Sequence, residues 1–103
     1  TNLLNANSKK SFRDLNDLIN NQNSNIIYLN HDYSFNDESD SDFIHGITIS
    51  RKNNLIIDGN NHVLDGKNES RIFYIYRGDN VCLKNIILIF SFSLTFTFIC
   101  GLT

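Results

Sequence analysis

The stretch Leu55–Gly66, LIIDGNNHVLDG, constrains this chain more than any other. Three apolar residues run into Asp58-Gly59, two asparagines follow, then His62-Val63-Leu64 and a second Asp-Gly at Asp65-Gly66. That is strand, tight corner, strand, tight corner in a dozen residues. Asn and Asp bond their own backbone at a corner and Gly supplies positive φ, so the wording fixes where the chain bends. Asn54-Leu55-Ile56-Ile57 is echoed by Asn80-Val81-Cys82-Leu83 26 residues later, and Asn25-Ile26-Ile27 precedes it in the same form. A period in this range is the mark of stacked units, in which each short strand pairs in parallel with its equivalent one unit away.

The remaining elements come from local signals. Ser11-Phe12-Arg13-Asp14 fits a capping box, and Phe12, Leu15, Leu18 and Ile19 share one face at helical spacing. A short helix is expected there, ended by Asn20–Asn23, its apolar face covering the open end of a β core rather than forming a partner groove. Residues 1–10 are polar apart from Leu3 and Leu4 and read as loose. Strand runs are expected at Ile26–Leu29, Tyr33–Phe35, Ile47–Ile49, Leu55–Ile57, Val63-Leu64, Arg71–Arg77 and Val81–Leu83. Composition agrees: 17 asparagines with no Pro, Met or Trp suit a chain of corners rather than a helical bundle.

The run Ser11–Asn85 resembles the N-terminal region of adhesin-like surface proteins of methanogenic archaea. The pieces that carry the resemblance are SFRDLNDLINN, NIIYLNHDYSFN, GITISRKNNLIIDGNNHVLDG, and RIFYIY with NVCLKNI. The resemblance implies an all-β fold, a right-handed parallel β-helix (solenoid) fragment with a short N-terminal capping α-helix. It implies an exported, cell-surface or extracellular, adhesive and non-enzymatic role, with polysaccharide or protein as partner, and no catalytic constellation or cofactor. Two other functions stay open: a carbohydrate-active fragment of the polysaccharide lyase or hydrolase kind, and a small membrane-anchored or non-functional truncated product. Thr1 at the start and the change of character after Ile86 suggest a piece of something longer.

Ile86–Thr103, IILIFSFSLTFTFICGLT, carries no charge. Residues 86–103 therefore stand apart from 11–85. Ile86–Leu102 is at the short end of what a membrane helix needs. Phe90–Phe98 instead alternates strictly and is rich in Phe and Thr, which favours a strand. A frame-shifted or truncated tail is the third reading.

Chemistry is thinly signalled. Asp37, Glu38, Asp40 and Asp42 offer clustered oxygens for Ca²⁺, but the loop lacks the Gly and closing Glu of an EF-hand, so a solvated loop is the simpler reading. His31, His45 and His62 have no ligand spacing. Asp58 and Asp65 suggest paired carboxylates for sugar-bond cleavage, but each precedes a Gly and reads better as a corner. Tyr28, Phe73, Tyr74 and Tyr76 offer a carbohydrate-stacking surface, with Tyr74 and Tyr76 on one strand face; the competing reading is stacking inside the core. Asn68-Glu69-Ser70 is the one N-glycosylation acceptor pattern. Cys82 and Cys100 read as incidental thiols, a bridge between them requiring export. The net charge of −2 and nine scattered basic residues argue against nucleic acid as a partner.

Overall fold

The computed structural model describes residues 9–78, 80–89 and 94–102. β1 (Lys10–Ser11) leads into the helix α1 (Phe12–Asn20). Strands β2 (Ile26–Tyr28), β3 (Tyr33–Ser34), β4 (Ile47–Ser50), β5 (Ile56–Asp58), β6 (Val63–Asp65), β7 (Phe73–Tyr76), β8 (Val81–Ile89) and β9 (Leu94–Leu102) come next, with a single 3₁₀ turn at Ser41–Phe43.

The helix forms where the local signals put it. Ser11 is its N-cap, with Oγ accepting from the Asp14 amide at 3.3 Å while the Asp14 carboxylate accepts from the Ser11 amide at 3.3 Å. Phe12, Leu15 and Ile19 are fully buried and turn toward β1, β3 and β4. Phe12 meets Phe35 edge to face at 5.8 Å. The core continues through Ile27, Leu29, Ile47, Ile49, Leu55, Ile57, Leu64 and Ile86, one inward residue from each pleat.

Parallel pairing organises the strands. Ile57 of β5 lies beside Ile27 of β2 on one side and Leu83 of β8 on the other. Leu64 of β6 lies between Tyr33 of β3 and Leu88 of β8. The 26-residue echo is a register of this kind: the Asn80 side chain donates to that of Asn54 at 3.0 Å, holding the two strand starts level.

These strands do not build a right-handed parallel β-helix, and the fold is not all-β. The order β1-β3-β6-β8-β5-β2 places them in one mostly parallel sheet, seven-stranded with β9 and not curled, beside the two-stranded sheet β4-β7 and one helix. The molecule is a small α/β domain, not a solenoid or repeat array. The physical reason lies in β8. Where earlier passes break into two short strands at a corner, β8 runs for nine residues and pairs with β5 through Cys82–Lys84 and with β6 through Ile87–Ile89. It joins both into one sheet. β9 then reverses and pairs antiparallel along β8, which an onward coil does not do.

The uncharged tail is thus strand at both ends of its described part, since Ile86–Leu102 divides between β8 and β9, with residues 90–93 outside the described set. Among the described residues no helix is long and apolar enough to cross a membrane. The loose segment 1–10 lies outside the described residues except for its last two.

Asparagine's role is at the corners, in keeping with its abundance. Of the nine non-glycine residues with positive φ among those described, six are Asn: Asn54, Asn60, Asn61, Asn68, Asn80 and Asn85. The short polar side chain tolerates this conformation where most others do not. The glycines of the Asp-Gly pairs serve differently from expectation, because left-handed backbone falls on the residues after them. A Cβ on Gly59 would lie 2.5 Å from the Asn85 carbonyl oxygen, and one on Gly66 would collide with the Ser70 carbonyl oxygen. These glycines allow close backbone approach.

Candidate functional site

The loop Asn36–Phe43 is built around one carboxylate. Asp40 is fully buried. It accepts from the backbone amides of Phe12 (2.9 Å), Arg13 (3.1 Å) and Asn36 (2.9 Å), and from the Ser39 hydroxyl (3.2 Å). Two of those donors belong to the first turn of α1, where backbone N–H groups lack helical partners and the helix dipole favours negative charge. Asp40 is thus a long-range cap that ties the loop to the helix, with its oxygens occupied. Asp42 pairs with Arg13 at 3.2 Å, and the Arg13 guanidinium also donates to the Ser39 carbonyl and lies 5.1 Å from the centre of the Phe43 ring. Asp37 and Glu38 face solvent along an open groove with Lys67 and Glu69. The four acids weighed as a calcium alternative to a solvated loop thus have separate environments, and among the described residues no group of three or more His, Cys, Asp or Glu is placed to hold a metal.

Asp58 and Asp65 occupy separate corners. The Asp58 carboxylate accepts from the Asn60 amide at 3.0 Å and the Asn85 side chain at 3.2 Å, with the Lys84 ammonium 3.9 Å away. Its pKa is held below the ordinary carboxylate value, chiefly by the Asn60 amide. Asp65 accepts from the Lys67 amide at 2.8 Å. His62 sits at the corner after Asn61, with its Nδ1 3.0 Å from the Asp32 carboxylate, which accepts from the Val63 amide at 2.9 Å. Burial pushes the Asp32 carboxyl up, but the Val63 amide and His62 outweigh it and the net shift is downward.

The aromatic strand is arranged differently. In β7, Phe73 and Ile75 turn inward and pack against the core, while Tyr74 and Tyr76 are exposed at 51% and 42%. Their rings are near-parallel, 17° apart in plane with centres 6.2 Å apart. Tyr28 is also exposed, but it sits on β2 of the other sheet. The register of β4 with β7 puts Thr48 beside Tyr74 and Ser50 beside Tyr76. Alternation sends all four side chains to one face.

Two arginines stand at the end of this pair of strands. Arg51 and Arg77 come directly after the paired residues Ser50 and Tyr76, and both have positive φ. The Arg51 amide donates to the Tyr76 carbonyl at 3.1 Å, which keeps the two strand ends together. The Arg77 guanidinium donates to the Tyr76 hydroxyl at 3.1 Å and lies 5.3 Å from that ring's centre. Neither arginine forms an ion pair with an acid among the described residues. The signal that finds them is the same 26-residue echo, extended from the apolar residues of each strand to the residue just past its end.

Asn68 is exposed in the left-handed turn after β6, while the Ser70 hydroxyl of its acceptor triplet is buried. Cys82 and Cys100 are not separate thiols. They form a disulfide joining β8 to β9, and no cysteine is free. The expectation of incidental thiols fails because β9 folds back along β8, a reversal that a separation of 18 residues does not announce. No family model, curated protein or solved structure matches this chain.

Proposed function

We propose that this chain is a non-enzymatic binding module that works outside the cell, in the manner of an adhesin-like surface protein. The observation that carries this reading is the exposed, near-parallel pair Tyr74 and Tyr76 on the outer face of β7. Tyrosine is amphipathic and loses little conformational freedom on contact, so an exposed pair on a rigid strand suits recognition. The Cys82–Cys100 disulfide supports the location, since such bonds persist in oxidising compartments. A glycosidase or lyase reading draws less support, because Asp58 and Asp65 are engaged at separate corners by local amides.

Beads coated with the chain test this reading. They are expected to adhere to cell-envelope preparations, soluble chain is expected to compete, and no sugar is expected to be released. Beads that fail to adhere, or release of reducing sugar on contact, would defeat it.

A further inference from the structure

We propose that the outer face of the β4–β7 sheet binds an acidic polysaccharide, with Tyr74 and Tyr76 stacking on sugar rings and Arg51 and Arg77 taking the carboxylates. This rests on the reading of the chain as an extracellular binding module and names its ligand class.

The face combines three kinds of group that such a polymer needs. Tyr74 and Tyr76 supply aromatic surface against which the C–H faces of a pyranose ring can lie. Thr48 and Ser50, beside them in register, supply hydroxyls that give and accept hydrogen bonds. Arg51 and Arg77 supply the charge. A guanidinium binds a carboxylate through two parallel N–H bonds, a geometry an ammonium cannot match.

Charge complementarity selects the occupant. The chain as a whole carries −2. Three of its other cations are engaged locally: Arg13 by Asp42, Lys67 by Asp65 and Lys84 by Asp58. Arg51 and Arg77 lie at one end of the tyrosine face with no such partner among the described residues. They are held together by the backbone bond from Arg51 to Tyr76 rather than by attraction. A strand end with two arginines adjacent in the backbone, one of them with its guanidinium against an aromatic ring, matches a polymer whose units repeat both a ring and an anion. A single-stranded nucleic acid also stacks on aromatics beside Arg, and the oligothymidylate arm of the test below separates it from a polyuronate.

Titration calorimetry of the whole, oxidised chain decides the matter, with polygalacturonate, neutral dextran and oligothymidylate as probes at low and physiological salt. Polygalacturonate is expected to bind, more weakly as salt rises, and dextran is expected not to. Tyr76→Ala is expected to weaken binding about tenfold, the size of one lost stacking contact. Arg51→Gln with Arg77→Gln should remove most of the affinity and its salt dependence, while Arg71→Gln, an exposed arginine before β7, should change nothing. Urea midpoints of all variants should match the parent, because the altered side chains are exposed. Absence of binding, equal binding of dextran, oligothymidylate binding as tightly as polygalacturonate, or an Arg71→Gln loss equal to that of Arg77→Gln would overturn the proposal. If beads still adhere to envelopes while uronate fails, this inference falls alone; if adhesion fails too, the broader reading falls with it.

Discussion

Replacing Asp40 tests how the fold is held more sharply than any change in the apolar core. In Asp40→Ala the amides of Phe12, Arg13 and Asn36 and the Ser39 hydroxyl lose their acceptor. Ser39 and Arg13 can turn to water. Phe12 is fully buried and its amide cannot without opening the helix start. A buried donor left without a partner costs about 1–3 kcal/mol, and loss of a helix cap about 1 kcal/mol. With a further contribution from Asn36, the total is about 3–5 kcal/mol. A domain of this size has only about 5–10 kcal/mol of stability in all. The melting temperature should fall by at least about 10 °C, at about 4 °C or more per kcal/mol. Urea unfolding followed by circular dichroism reads this, with Asp37→Ala, an exposed acid of the same loop, as the control expected within about 0.5 kcal/mol of the parent. Asp40→Asn should fall between, because one of its two side-chain positions then presents N–H to donors. An Asp40→Ala variant within about 1 kcal/mol of the parent would refute the role of this carboxylate as the tie between loop and helix. So would added calcium raising the parent's melting temperature.

Other outcomes rest on the same physical reasoning. Gly59→Ala should cost about 2 kcal/mol or more, because its Cβ would meet backbone atoms at 2.5 and 2.9 Å; Gly78→Ala, whose nearest contacts are side-chain atoms at 3.1 Å, should cost less, and equal urea midpoints would contradict this. Reducing the disulfide, or Cys82→Ser, should remove about 3 kcal/mol, the entropy of a loop of this length; a melting temperature indifferent to reductant would contradict it. Asp32 and Asp58 both have folded pKa values below the unfolded value near 3.8. The unfolded chain therefore takes up these protons first, so their stabilisation is complete above that value and is lost as pH falls through the folded pKa. Melting curves between about pH 6 and 3 should show Asp58→Asn losing less stability than the parent, whereas parallel curves would contradict the assignment.

The sequence makes legible what near neighbours decide. Ser11 and Asp14 are three residues apart, and Phe12, Leu15 and Ile19 lie on one helical face, so the helix and its buried side can be read directly. The level pairing of Asn54 with Asn80 is legible as an echo. Whether parallel strands go on to curl into a coil is not. That depends on β8 continuing as one strand past the left-handed Asn85, where the preceding pass breaks into two strands at Gly59–Asn61, and on β9 reversing afterwards. The echo reports register, and register is shared by coils and open sheets alike. The acidic loop is opaque for a related reason. Asp37, Glu38, Asp40 and Asp42 look alike in sequence, and only the approach of α1, 28 residues before Asp40, selects which one turns inward. The Tyr74–Tyr76 alternation is visible, but nothing local marks Arg51 as its neighbour; only the 26-residue echo, realised as the pairing of β4 with β7, connects that arginine with Arg77.

Amide chemical-shift mapping tests most directly whether the working surface is the outer face of β4 and β7. Polygalacturonate is added in steps to the isotope-labelled, oxidised chain. Shifts are expected to concentrate in Ile47–Lys52 and Phe73–Gly78, with the acidic loop Asn36–Asp42 and the corners at Asp58 and Asp65 unmoved. Shifts centred on that loop or on those corners, or no shifts at saturating polymer, would contradict this placement of the binding surface.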